Sequence, residues 1–162
     1  MSTYGFSDIY NKKVVSETAV AVQNVSGDVT ASGISWYPMN MGAIGIQVNG
    51  EGFYTQDQGR LKVLKGGVYR VTGITEISSC TSETTTIDLA VASSSGGGIK
   101  TRGSVPASGG TFQGVITAGP EIVELSANER LGLQVRARGG SAVAKGTASK
   151  LIVEYVSGST LQ

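Results

Sequence analysis

The stretch GRLKVLKGGVYRVTG, residues 59–73, decides how the rest of the chain reads. It divides into a short alternating segment, a Lys-Gly-Gly break and a second segment opening Val68-Tyr69-Arg70-Val71. Alternation at period two marks a strand, and paired glycines supply a turn that side chains would obstruct. Outward from this stretch the same grammar recurs at 18–23, 43–48, 61–64, 68–77, 84–91, 111–116, 122–125, 131–137 and 151–156, all rich in Val, Ile, Leu and Thr. Clusters of Gly, Ser and Asn separate them. About nine short strands with no 3.6-residue pattern predict an all-β sandwich or jelly roll with helix content near zero.

Several of these strands are apolar on both faces. In 151–156, Leu151, Val153 and Tyr155 share one face, while Ile152, Glu154 and Val156 share the other. Val20 and Val22 likewise oppose Ala19 and Ala21. A sandwich strand needs only one apolar face, so the second is expected to meet another subunit.

Composition narrows the function. The chain has 162 residues, 24 Gly, 1 Cys and no His, enough for one domain with a full core. We read 1–13 as an arm, 14–158 as the domain and 159–162 as a tail. Without histidine there is no Ser-His or Cys-His nucleophile and no His-ligated metal. A single cysteine, Cys80, forbids an internal disulfide and a multi-cysteine zinc site. No catalytic, cofactor or metal site is expected. Lys and Arg total 13 against 12 Asp and Glu, so neither nucleic acid nor membrane is an expected partner. The N-terminus lacks the apolar run of a secretory signal, and no stretch approaches the roughly 20 apolar residues of a membrane span, so synthesis in the cytoplasm is expected.

Residues 59–73, the stretch IVELSANERLGLQV at 122–135 and KLIVEYVSG at 150–158 together resemble the trimeric jelly roll of tumour necrosis factor and the globular heads of complement's first component. In that resemblance a glycine precedes a strand-opening aromatic, 122–135 is a hairpin between two late strands, and Asn128-Glu129 stands where Gly-Asp is common. The likeness covers about 100 of the 162 residues and implies a homotrimer. By position it puts Arg70, Thr72, Ile122, Glu124, Ile152 and Glu154 on the face toward the threefold, with Arg70 near Glu124 or Glu154 of a neighbour. Aromatic residues are only 6%, so the family's aromatic-rich axis is not expected. The short Gly/Ser/Thr-rich form is most similar to bacteriophage virion proteins: capsid decoration or cement proteins, head fibres and fibre tips. The implied partner is then the major capsid protein lattice, and the implied location is the capsid exterior.

Three further groups are candidate contacts. Tyr4, Phe6 and Tyr10 lie at even spacing in the arm and would anchor a partner from one side of an extended chain. Trp36-Tyr37-Pro38 is the densest aromatic cluster, a carbohydrate platform if exposed and an edge-crossing loop if buried. Arg136 and Arg138 share one strand face and, with Lys145 and Lys150, would make a basic patch if left unpaired. The stretch SSSGGGIKTRG at 93–103 lacks the Gly-Lys order of a phosphate loop and is read as an inter-strand loop, with 93–110 able to reach a host glycan. Glu121 with Glu124, or Asp57 with Glu51, are the carboxylate pairs a glycosidase on this scaffold would use.

Overall fold

Residues 59–73 do form strand, turn and strand, but the turn carries the chain from one sheet to the other. The computed structural model describes residues 19–94 and 98–158. In chain order its strands are β1 (Val20–Val25), β2 (Val29–Ser32), β3 (Tyr37–Pro38), β4 (Met41–Val48), β5 (Tyr54–Asp57) and β6 (Arg60–Val63). There follow β7 (Gly67–Cys80), β8 (Thr86–Ser93), β9 (Gly98–Pro106), β10 (Gly114–Leu125), β11 (Arg130–Arg138) and β12 (Ser141–Ser157). One 3-10 turn, Ser108–Gly110, is the helical content of the described residues. The first sheet runs β10-β7-β12-β1-β4 with β2 also on β12, and the second runs β5-β6-β11-β8-β9 with β3 also on β11. The two sheets form a jelly-roll sandwich.

The core follows from the alternation. Tyr69, Val71, Ile77, Leu151 and Val153 point inward from the first sheet, and Leu61, Val63, Ile87, Leu89 and Leu133 meet them from the second, all essentially inaccessible. At one end of the core Tyr69 packs edge-on to Tyr54 and Tyr155, with centroids 6.2 and 5.5 Å away, and Phe53 lies 4.7 Å from Tyr155. Four of the aromatic residues, Phe53, Tyr54, Tyr69 and Tyr155, are thus gathered at this end of the core. Tyr54 donates to the Ala19 carbonyl at 2.7 Å and Tyr69 to that of Lys65 at 2.6 Å, which satisfies both hydroxyls. Burial pushes both phenols above their ordinary pKa.

Several expectations change here. Residues 114–116 of the stretch 111–116 and the whole of 122–125 belong to one strand, β10, whose register slips between Ala118 and Glu121. Gly119, at φ 85°, takes the left-handed backbone this bulge demands. The segment 93–103 is not simply a loop, because most of it belongs to β9, which pairs along the whole of β8. Residues 122–135 are not a hairpin either: β10 lies in the first sheet and β11 in the second, so residues 126–129 cross between layers. There Asn128 sits at φ 72°, the conformation that glycine would supply. The Glu129 carboxylate caps the turn by accepting from the Ser126 amide at 3.0 Å, and Lys100 lies 3.0 Å from its other oxygen. Strands β2, β3 and β5 escape the sequence pattern because they are only 4, 2 and 4 residues long.

Gly103 sets how closely the sheet edges approach. A Cβ there would overlap the backbone carbonyl of Thr117 on β10. Its absence lets β9, the edge of the second sheet, close onto β10, the edge of the first.

Candidate assembly surface

Outward side chains of the first sheet fall into two neighbouring cross-strand rows. One runs Ile122, Arg70, Glu154, Val20 and Val48 across β10, β7, β12, β1 and β4. The next runs Thr72, Ile152, Val22 and Ile46. With strands about 4.8 Å apart, the five-strand row is about 19 Å wide. Ile46, Val48 and Ile122 are 57%, 49% and 41% exposed, while Val20, Val22 and Ile152 are half-buried. An aliphatic surface on the outside of a sheet is the state the sequence pattern predicted, and water is a poor partner for it.

The six residues read from the resemblance are brought together as expected in one respect. Arg70, Thr72, Ile122, Ile152 and Glu154 share this face, and Glu124 lies on it two residues along β10 from Ile122. The pairing differs. Arg70 Nη1 meets Glu154 Oε2 of the same chain at 3.1 Å, since β7 and β12 are neighbours and set the two residues opposite each other. Its partner is therefore supplied in cis. The consequence is physical: Arg70 and Glu154 already neutralise one another, so covering them costs less than burying a lone guanidinium. The sequence reading missed Ile46 and Val48: their strand and β1 were both recognised, but not that the two pair.

The two arginines expected as a basic patch are engaged. Asp88 on β8 is fully inaccessible and faces outward from the second sheet, directly opposite Arg136 on β11 and Ser104 on β9. Its Oδ2 accepts from Arg136 Nε and Nη2, both at 2.8 Å, and from Arg138 Nε at 2.9 Å, while Ser104 Oγ donates to Oδ1. Burial alone would raise the Asp88 pKa, but these donors outweigh it and hold the carboxyl below its ordinary value. Lys145 and Lys150 are on β12 in the other sheet, so the four-residue patch does not form. Sequence inspection could have found Asp88, as the lone acid in TIDLAVAS facing an Arg-x-Arg strand.

Trp36 is half-buried, with the Arg136 guanidinium 4.3 Å from its ring centroid, and Tyr37 pairs with Val135 as part of edge strand β3. This matches the edge-crossing alternative more than an open platform. Tyr4, Phe6 and Tyr10 lie outside the described residues. Glu121 and Glu124, three apart on one strand, point to opposite faces. Asp57 is held at 2.8 Å by Arg130 and at 3.5 Å by Lys62, and the Arg130 hydrogen bond in particular lowers its pKa. Glu51 instead lines a shallow cleft with Gln47, Asn49 and Gly50. Neither pair has the arrangement of an acid and a base. Among the described residues no group of three or more His, Cys, Asp or Glu could hold a metal ion, and no helix is long and apolar enough to cross a membrane. Cys80 is half-buried, its sulfur 3.6 Å from the Phe112 carbonyl.

No protein-family model matches this sequence, and no curated protein matches it. Solved structures do. Eiger TNF from S. frugiperda superposes with a TM-score of 0.64 at 13% identity, covering 90% of this chain and 97% of the other. Murine APRIL at pH 8.0 gives 0.63 at 11% identity, covering 86% of this chain and 100% of the other, and its pH 5.0 structure gives 0.63 at 12%. Across nearly its whole length, this chain therefore has the tumour-necrosis-factor-like jelly-roll fold.

Proposed function

We propose that the chain is a non-enzymatic structural module that works as a homotrimer, built through the outer face of its first sheet. The observation that carries this is the aliphatic surface centred on Val22, Ile46 and Ile152, with Val20 and Val48 in the adjoining row and Arg70 paired to Glu154 within the chain. A threefold assembly of such faces removes this surface from water at about 25 cal/mol per Å².

The finer reading is a virion decoration protein that clamps a phage coat lattice from the capsid exterior. Its support is compositional and comes from the sequence likeness: a Gly-rich chain without histidine, short strands and near-zero net charge suit a part assembled once. Three copies of the arm bearing Tyr4, Phe6 and Tyr10 would turn weak contacts with coat subunits into a tight one. Purified protein added to undecorated shells should bind and raise their melting temperature. Absence of binding to the shells would remove the decoration reading and leave the trimer untouched. A second reading, a fibre tip that contacts host glycans, is favoured by the charge on the second sheet; it predicts that the isolated protein blocks adsorption.

A further inference from the structure

The outer face of the second sheet takes no part in the proposed trimer, and its chemistry is the reverse of the first. Outward positions on β6, β11 and β9 carry Arg60, Lys62, Arg130, Arg136, Arg138 and Arg102. The carboxylates among them are Asp57 and Asp88, and the neighbouring Lys100–Glu129 pair is internally neutral. Six cations against two carboxylates leave a surplus of four positive charges on this face, whereas the whole chain carries +1.

The surplus is arranged around a low floor. Ala90 and Ala92 of β8 and Gly132 and Gln134 of β11 are the outward residues between the cations, with Ala90 and Gly132 buried. Arg102 stands opposite Ala90 from the β9 side, and the Arg60 guanidinium lies over Gly132 from the β6 side. Neither Arg60 nor Arg102 has an acidic partner among the described residues, and Arg102 is exposed. Exposed large aliphatic side chains reach this sheet only at its margins, as Ile99 at the start of β9 and Leu64 just past β6.

We infer that this face binds an acidic polysaccharide whose charge is carried by carboxylates, a polyuronate. A folded protein partner would want a charge-depleted apolar centre, which is what this face lacks. A hydrated polymer with one carboxylate per ring needs instead a flat, polar surface with cations recurring across strands about 4.8 Å apart. Five of the six cations are arginine, whose planar fork matches a carboxylate. The inference is independent of oligomeric state and of any capsid.

Calorimetric titration of the full chain with polygalacturonate oligomers at low and high salt tests it. Wild-type protein should bind, lose affinity as salt rises and ignore neutral dextran. The double variant Arg60→Gln/Arg102→Gln, which breaks no ion pair, should lose at least about tenfold, or about 1.4 kcal/mol. Lys145→Gln/Lys150→Gln, with the same charge change on the other sheet, should bind as wild type. The inference fails if low-salt binding is absent, if both double variants lose affinity equally, or if dextran sulfate or duplex DNA binds more tightly than polygalacturonate.

Discussion

Replacing Asp88 with Asn tests the second sheet's polar network, and its size can be worked from the geometry. Asn keeps the volume, and turned with its oxygen toward the arginines it can still donate to Ser104. What disappears is the negative charge that Arg136 and Arg138 share at 2.8 and 2.9 Å. Removing one partner of a fully buried ion pair costs about 3–5 kcal/mol. Here the arginine side chains are 18% and 43% exposed, so water recovers part of the loss, and about 2–3 kcal/mol is expected. At about 2–4 °C per kcal/mol for a chain this long, the melting temperature should fall by about 5–10 °C at neutral pH. Scanning calorimetry or urea titration measures it. The acid limb supplies a second readout. Because the Asp88 pKa is lower in the folded state than in the unfolded one, its contribution is complete above the unfolded value near 4 and is lost as pH falls through the folded value. The gap between wild type and Asp88→Asn should therefore narrow in acid. A variant within about 0.5 kcal/mol of wild type at neutral pH would refute the reasoning, as would a gap that is unchanged in acid.

Other substitutions probe separate features. Arg138→Gln should cost less than Arg136→Gln in the same melts, because Arg136 is the more buried, makes two contacts to Asp88 and stacks on Trp36. Gly103→Ala should destabilise by about 1–3 kcal/mol by pushing β9 off the Thr117 carbonyl, and faster amide exchange along β9 would accompany it. Tyr54→Phe should cost about 0.5–1.5 kcal/mol in urea titration, since the buried Ala19 carbonyl keeps its second donor, the Tyr155 amide at 2.9 Å.

The architecture was legible where burial imposes a period of two. The inward sets Tyr69/Val71 and Leu151/Val153 were readable because one face must be apolar whatever the partner strand, whereas Val20/Val22 and Ala19/Ala21, both apolar, were read only as opposing faces. Strand pairing was not legible, since alternation says which face a residue takes and nothing about its neighbour. For that reason 122–135 looked like a hairpin although its strands belong to different sheets, and Arg70 was assigned a partner in another subunit although β12 supplies one in cis. The bulge at Gly119 hid the continuity of β10, because Gly-Pro ordinarily signals a break. The glycines at 96–98 hid the start of β9 in the same way. Asp88 left a signal, a lone acid in an apolar strand, but its pairing with the Arg-x-Arg of β11 is fixed only by the strand order.

The outer face of the first sheet carries the central claim, and the mass of the protein in solution tests it most directly. Native mass spectrometry or sedimentation of the full chain should give a trimer. Ile46→Lys puts an ammonium in a row with Val22 and Ile152, on a side chain that is 57% exposed in the isolated chain and would be covered in the assembly. It should yield monomers that melt cooperatively. A wild-type chain that stays monomeric at high concentration, or a trimer indifferent to Ile46→Lys, would contradict the account.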